Sequence, residues 1–219
     1  MINLKPTILS VKTIYLIRHG ETEYNRMGIV QGSGVDSDLN ELGFAQARAF
    51  FDAYQHVNFH KIYTSKLRRT VQSVQHFINN GIAYEQLEGL NEICWGEKEG
   101  KAPNYQEDEF YLDVLRRWKL GETHIPAANG GESPDEVAAR QKIAFQHILS
   151  RPEEEVVLVA MHGRAIRILL THLLNLPLSK MDDFEHTNLC LYKLVYSYTD
   201  NAFALELSND VSHLMVLAE

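Results

Sequence analysis

The stretch that decides how this chain folds is Thr13-Ile14-Tyr15-Leu16-Ile17-Arg18-His19-Gly20. Its first five residues are apolar or β-branched, which is typical of a buried strand, and the run ends abruptly at a polar turn that contains glycine. A second segment is built in the same way. Residues 155–161 are predicted to be the most continuous strand of the chain, and His162-Gly163 follows directly. The sequence therefore predicts two core strands that each end at a histidine.

Strand and helix patterns alternate along the rest of the chain. The other predicted strands lie at 61–64 and in a hairpin at 189–197 and 202–207, and the segment 87–104 is predicted to be irregular. Helices are predicted at 40–55, at 66–77 with Ser65 as the N-cap, at 107–120, from Ser133 onward and at 164–174. This alternation predicts an α/β sandwich with a largely parallel sheet. Ligands bind where the strands of such sheets end, so we expect His19 and His162 to meet at one site.

The composition restricts the possible classes of function. With 219 residues, no repeat and no Pro- or Gly-rich linker, the chain is predicted to be a single domain, residues 1–219, with a cap-like segment at about 93–130. A net charge of −8 argues against nucleic acid as a partner, because phosphate backbones require clustered Lys and Arg. No stretch reaches the ~18–20 apolar residues of a membrane helix, and no secretion signal is recognisable. We therefore expect a cytoplasmic protein without membrane contact, and two reduced cysteines.

Three parts of the sequence carry groups suited to phosphoryl transfer. Arginine grips phosphate oxygens in pairs, and a neutral imidazole can attack phosphorus and titrates near neutrality. Arg18 stands beside His19 at the first strand end, and Arg68 and Arg69 lie where a helix begins after the second strand. Glu92 is a candidate proton donor in an irregular segment. Neither HExxH nor another metal-ligand spacing is present, so we expect no metal and no cofactor.

These segments resemble the motifs of the histidine phosphatase superfamily, which includes the cofactor-dependent phosphoglycerate mutases. The resemblance spans residues 13 to about 170 and rests on several motifs in the family's order. The matching segments are Leu16 to Thr22 with Asn25, Gln31-Gly32, Leu39 to Gly43 with Gln46-Ala47, Thr64 to Thr70, Leu90-Asn91-Glu92 with Gly96 and Glu99-Gly100, Gly131-Glu132-Ser133, and His162-Gly163. The resemblance implies a three-layer α/β/α sandwich with a largely parallel central sheet, of the phosphoglycerate mutase-like type.

The resemblance also implies a role for each site residue. His19 is the expected phosphorylated nucleophile. Glu92 is the expected acid that protonates the leaving group and then acts as the base for water. The expected binding groups for phosphate and substrate are Arg18, Asn25, Gln31, Arg69, His162 and Gly163. Arg69 matches the family's arginine, whereas Arg68 is expected to be a solvated helix residue.

Several of these residues have an ordinary structural alternative. His162 could be a hydrogen-bonded core histidine, and Glu92 could be a surface carboxylate in a loop. Gln31 and Ser133 could serve local turn chemistry instead of substrate binding. The remaining histidines, His186 among them, are interpreted as structural or surface residues.

The phosphoryl acceptor distinguishes three hypotheses. A phosphatase gives the group to water, a mutase returns it to a small phosphorylated acid, and a non-catalytic module only binds phosphate. Mutases of this family tend to have Arg-His-Tyr-Gly after the glutamate, whereas Ile93-Cys94-Trp95-Gly96 stands here, which favours a metal-independent phosphatase. A small phosphorylated substrate is expected, and its identity stays open. A second anionic group could meet Lys98, Lys101, Arg116 and Arg117, or these could form the solvated face of a helix.

Overall fold

The computed structural model describes residues 11–101 and 109–217, which contain a six-stranded sheet and helices. The strands are β1 (Val11–Arg18), β2 (Lys61–Thr64), β3 (Tyr84–Gln86), β4 (Val156–Met161), β5 (Leu191–Ser197) and β6 (Ala202–Asp210). The α-helices are α1 (Glu23–Arg26), α2 (Glu41–Tyr54), α3 (Arg68–Ser73), α4 (Gln75–Asn79), α5 (Glu109–Lys119), α6 (Pro134–Leu149) and α7 (Gly163–Leu173). Short 3₁₀ segments lie at Glu88–Leu90, Gly96–Lys98, Leu178–Asp183 and Ser212–Leu217.

The sheet is mostly parallel, as predicted. Its strand order is β3-β2-β4-β1-β5-β6, and the first four strands are mutually parallel. β5 runs antiparallel to β1 and forms the predicted hairpin with β6. β1 and β4 are paired so that Arg18 lies opposite Met161, and the His19 amide donates to the Met161 carbonyl at 3.0 Å. The two strand ends that were predicted to carry histidines therefore lie side by side.

Helices cover both faces of the sheet, which gives the three layers that the resemblance implies. Successive strand residues point to opposite faces. Leu16 accordingly packs in one core cluster with Phe145 of α6 and Ile166 of α7, whereas Ile17 packs in a second cluster with Phe50 of α2. β4 is buried on both faces from Val157 onward, and Ile14, Leu16 and Ile17 of β1 are fully buried, which explains the apolar run of each strand in the sequence.

The prediction of one continuous helix at 66–77 is wrong, because the helix begins at Arg68 and is interrupted at Val74. The chain forms α3 after an N-cap at Leu67, and α4 follows after a break at Val74. The Arg68 amide donates to the Asp36 carboxylate at 2.7 Å, so a residue distant in sequence satisfies one of the free N–H groups at the helix start. Ser65, the predicted N-cap, lies before the helix and accepts from the Leu67 amide at 3.1 Å.

The helix starts predicted at Asn40 and Ser133 are confirmed. The Asn40 side chain accepts from the Gly43 amide at 2.8 Å. Ser133 and Glu136 bind each other's backbone amides in a capping box at the start of α6. This gives Ser133 the local structural role that the sequence left as an alternative. The start of the helix predicted at 107–120 lies outside the described residues.

The cap-like segment expected at about 93–130 packs through apolar side chains. Trp118 of α5 is fully buried and lies in a third core cluster with Ile93, Trp95 and Ile168 of α7. The centre of the Trp95 ring is 5.5 Å from that of Tyr111 and 5.9 Å from that of Trp118. α5 is therefore held against α7, the helix that begins at the second predicted histidine.

Within the described ranges, no helix is both long and apolar enough to cross a bilayer. The same residues contain no group of three or more His, Cys, Asp or Glu side chains placed to hold a metal ion. Cys94 and Cys190 are free thiols.

Candidate active site

A cavity of about 160 Å³ opens where β1 and β4 end. Its volume is below the ~300–1,000 Å³ of pockets for drug-sized ligands, which suits a small molecule. The position follows from the topology, because the carboxyl ends of neighbouring parallel strands meet at one edge of a sheet. The predicted site residues that line it are Arg18, His19, Asn25, Gln31, Glu92 and Gly163.

His19 lies just after β1, and only 3% of its surface is exposed. Its Nδ1 is 2.7 Å from the carbonyl oxygen of Gly20, which can only accept, so Nδ1 carries the proton. The lone pair is then on Nε2, the atom left to attack an electrophile. Burial, followed by the charges of Arg69 and Arg18, holds the pKa of His19 well below its usual range. The imidazole is therefore neutral at physiological pH, as a nucleophile must be.

Arg18, the last residue of β1, presents its guanidinium to the cavity. Nη1 donates to the carbonyl oxygen of His186 at 2.5 Å, and the buried Nε has no hydrogen-bond partner among the described residues. Gly163 leaves the space that this arrangement needs. A Cβ at this position would lie 3.4 Å from Arg18 Nε and 3.3 Å from the His186 ring. A buried cationic N–H group without a partner indicates a place for an anion.

Arg69 and His162 are fully buried behind His19 and do not line the cavity. Arg69 Nε donates to His162 Nδ1 at 3.2 Å, and its two terminal nitrogens donate to backbone carbonyl groups. Because His162 Nδ1 accepts, its proton is on Nε2, which lies 2.8 Å from Ser65 Oγ. Burial, followed by the charge of Arg69, holds the pKa of His162 well below its usual range. The rings of His19 and His162 are 5.1 Å apart, so both residues lie next to the candidate nucleophile.

Glu92 lines the cavity at the N-terminal end of α7 and accepts three backbone N–H groups. Oε1 accepts from Ile93 at 2.9 Å and from Ala165 at 2.8 Å, and Oε2 accepts from Arg164 at 3.1 Å. The N-cap residue of α7 makes no side-chain cap of its own, so Glu92 satisfies the first-turn donors instead. The surface alternative for Glu92 is wrong, because the residue is only 6% exposed.

Asn25 and Gln31 are both tied to Thr22 at the start of α1. Asn25 Oδ1 accepts from the Thr22 amide at 3.2 Å and from its hydroxyl at 3.1 Å, in the capping box of this short helix. Gln31 Nε2 donates to the Thr22 hydroxyl at 2.7 Å, and Gln31 Oε1 accepts from Ser37. Both residues also line the cavity, so local turn chemistry and a place at the site coexist.

Sequence reasoning misses two basic residues that line this cavity, Arg164 and His186. Arg164 lines the cavity, and the only signal for it in the sequence is that it directly follows His162-Gly163. His186, interpreted from the sequence as a structural or surface residue, lines the cavity and holds Arg18 through its backbone carbonyl. Its position depends on a loop that follows α7, and no pattern around His186 indicates it.

A family model described as the histidine phosphatase superfamily, branch 1, matches residues 14–211. The chain belongs to this superfamily. The resemblance inferred from the Arg18-His19-Gly20 segment is thereby confirmed, and so is the phosphoglycerate mutase-like fold that it implied. The match also extends beyond residue 170, where the resemblance in the sequence ended, and includes the β5-β6 hairpin.

Relatives of this chain carry the names of both mutases and phosphatases. The chain is 29% identical over 212 residues to a Proteus mirabilis protein named "Probable phosphoglycerate mutase GpmB", which covers 94% of this chain and 96% of the relative. Bacillus stearothermophilus YhfR aligns with a TM-score of 0.81 and 29% identity, over 93% of this chain and 99% of the other. Phosphoserine phosphatase from Entamoeba histolytica, solved in complex with 3-phosphoglyceric acid, aligns with a TM-score of 0.80 and 25% identity over the same shares. The superfamily is therefore established, and the particular reaction has to be argued from the site.

Proposed function

We propose that this histidine phosphatase hydrolyses small phosphate monoesters through a phosphohistidine on His19, without a metal or another cofactor. His19 Nε2 attacks phosphorus, the bond from phosphorus to the ester oxygen breaks, and the leaving oxygen takes a proton from Glu92. Water then attacks the phosphohistidine while Glu92 accepts a proton from the water. Inorganic phosphate is released, and His19 returns to its neutral form. The observation that carries the proposal is the neutral imidazole of His19, with its proton fixed on Nδ1 by the Gly20 carbonyl.

The cations around His19 suit the charge of a transferring phosphoryl group. In the transition state, negative charge is spread over three phosphoryl oxygens, and preorganised donors stabilise it. Arg18 lines the cavity, and the charge of Arg69 acts on His19 from the buried side. Asn25 and Gly163 border the same space.

His162 needs one local change to contact the phosphoryl group in the way that the resemblance implies. Its Nε2–H group donates to Ser65, so this donor must exchange the hydroxyl for a phosphoryl oxygen. The centre of its ring lies 5.1 Å from that of the His19 ring, so His162 is next to the nucleophile that would carry the phosphoryl group. We propose that the substrate induces this exchange.

A phosphoglycerate mutase reaction is the second candidate, and the name of the Proteus mirabilis relative is the observation that favours it. It shares the first step with the phosphatase reaction. It differs in the second step, in which the phosphoryl group passes to another hydroxyl of a small phosphorylated acid instead of to water. A non-catalytic phosphate-binding module would carry out neither step.

The test is to incubate the purified protein with a panel of phosphate monoesters and to measure both free phosphate and isomerised product. We expect free phosphate, full activity in excess chelator, and a phosphoryl label that is stable in alkali and lost in acid. His19→Ala is expected to remove turnover and label together. Isomerised product without free phosphate would establish the mutase reaction. Turnover by His19→Ala, or loss of wild-type activity in chelator, would disprove the proposed mechanism.

A further inference from the structure

Two arginines of α7 share one carboxylate beside the cavity. Arg164 and Arg167 each donate from Nη1 to Oδ1 of Asp182, the second at 2.7 Å. Only 9% of the Arg164 side chain is exposed, so water screens this group weakly. Two positive charges facing one negative charge leave one positive charge uncompensated within the group.

Arg18 lies close to this group, because its charge and those of Arg164 and Arg167 all act on His186. Burial and the guanidinium groups of Arg18, Arg167 and Arg164 lower the pKa of His186 to about 3, so this histidine is neutral and adds no charge of its own. The buried Nε of Arg167, like that of Arg18, has no hydrogen-bond partner within the described ranges. In a chain whose net charge is −8, two arginines at one cavity, Arg18 and Arg164, make a local positive charge that suits an anion.

Arg164 is the α7 arginine that lines the same cavity as His19. It donates a hydrogen bond to the Tyr111 hydroxyl, and its Cζ lies 5.7 Å from the centre of the Trp118 ring. These contacts and the ion pair with Asp182 fix the guanidinium in one place. A guanidinium has five N–H donors, more than these two acceptors require, so donors remain for a bound anion.

The exposed arginines of α5 are not placed to bind a second anionic group of the substrate. Arg116 forms an ion pair with Asp113, and Arg117 forms one with Glu122. Neither arginine lines the cavity. Of Arg116, Arg117 and Arg164, only Arg164 lines the cavity that contains His19.

We infer that Arg164 binds a carboxylate on the alcohol portion of the substrate. The phosphoryl group uses the charges of Arg18 and Arg69, which leaves the surplus charge on α7 for another group. One surplus charge matches a carboxylate better than a second phosphate, which carries about −1.5 to −2 at pH 7. A cavity of about 160 Å³ favours a substrate whose two groups are separated by a few atoms. This inference rests on the proposed reaction at His19, and it names short phosphorylated hydroxy or amino acids as the substrate class.

The test compares substrates that differ in the carboxylate. O-Phosphoserine is paired with O-phosphoethanolamine, and 3-phosphoglycerate with glycerol 3-phosphate. The ratio of kcat/KM within each pair is measured for the wild type and for Arg164→Met, Arg164→Lys and Arg116→Met. The ratio cancels any general loss of activity in a variant. We expect the wild type to favour the carboxylates at least about tenfold, as for one hydrogen bond to a charged group, and Arg164→Met to lose this preference.

The two other variants separate recognition from general charge. Arg164→Lys is expected to restore part of the preference, since it keeps the charge without the planar fork. Arg116→Met, which removes an exposed arginine of α5, is expected to keep the wild-type ratio. An equal fall of the ratio in Arg116→Met and Arg164→Met would overturn the inference, because the effect would then be one of overall charge.

p-Nitrophenyl phosphate distinguishes failure of the subsite from failure of the proposed reaction. If the wild type hydrolyses it through His19 but shows no preference within the pairs, the carboxylate subsite is wrong and the phosphatase proposal stands. If no ester is hydrolysed, the proposed reaction is wrong, and binding decides the subsite. In His19→Ala, 3-phosphoglycerate is then expected to raise Tm more than glycerol 3-phosphate does, and equal increases would overturn the inference.

Discussion

Replacing Glu92 by Gln tests the role of this residue as proton donor. The hydrogen bonds of Glu92 also show how much the same substitution lowers the free energy of unfolding. Oε1 accepts from Ile93 and Ala165, and Oε2 accepts from Arg164. Glutamine can put its oxygen in the Oε1 position and keep two of these bonds, but its NH₂ group then faces the Arg164 N–H group. One buried donor loses its acceptor, which costs about 1–3 kcal/mol. For a chain of this size that corresponds to a fall in Tm of about 2–12 °C.

Glu92→Ala is the harsher change, because it leaves three donors without acceptors and is expected to cost about 3 kcal/mol or more. Gln is therefore the variant for kinetics. An alkoxide leaving group gains greatly from a proton, whereas a nitrophenolate leaves readily without one, and general acid catalysis contributes about 10²–10⁴-fold. We expect Glu92→Gln to slow phosphorylation by an alkyl phosphate at least about 100-fold, and by p-nitrophenyl phosphate much less.

The assay is single-turnover phosphorylation of His19 by both esters, at a temperature where thermal unfolding shows that the variant is folded. Ser133→Ala is the matched control. It removes the N-cap of α6 at about 1 kcal/mol and is expected to affect both esters equally. An equal slowing of the two esters by Glu92→Gln would refute the acid role. Glu92 would then serve only to cap α7, and the proton donor would have to be sought at Glu97 or Glu99.

Three further changes have defined outcomes. Arg69→Ala is expected to lower kcat/KM by an amount that corresponds to about 3 kcal/mol of lost transition-state stabilisation, with poor rescue by Arg69→Lys, whereas Arg68→Ala removes only an exposed partner of acidic side chains and leaves kcat/KM unchanged. The opposite result in steady-state kinetics would show that Arg68, and not Arg69, serves the reaction. The pKa of His19 is held well below 6.5, so kcat/KM is expected to show no loss from protonation of this residue between pH 8 and 6.5. A fall in kcat/KM centred near 6.5 that coincides with titration of the His19 ring in NMR spectra of the wild type would contradict this. Burial lowers the pKa of His172 to about 4, and burial with nearby guanidinium charges lowers that of His186 to about 3, so below pH 6.5 the unfolded chain binds protons that the folded chain does not. The free energy of unfolding is therefore expected to decrease as the pH is lowered, by up to about 1.4 kcal/mol per pH unit for each histidine, and urea unfolding that is unchanged between pH 7 and 5 would refute this.

The parts of the fold that the sequence predicts well are those where local pattern and tertiary environment agree. β4 is buried on both faces from Val157 onward, and β1 is fully buried at Ile14, Leu16 and Ile17, so the apolar runs of the two strands predict their place in the core directly. Asn40 and Ser133 cap their helices through bonds to residues three positions away, and such contacts are visible in a linear sequence. The start of α3 could not be predicted in this way, because its first amide is bound by Asp36, more than thirty residues earlier.

In the candidate site, too, some features follow from local sequence pattern and others only from tertiary contacts. The sequence by itself determined that His19 and His162 follow two core strands, because hydrophobic pattern and turn residues are local properties. Only the tertiary structure decided that Arg69 and His162 are buried behind His19, that Glu92 caps α7, and that Arg164 reaches the cavity. These placements depend on which strands pair and how α7 packs against α5. Charge and burial act through distances between segments that are far apart in the chain, so a linear pattern cannot contain them.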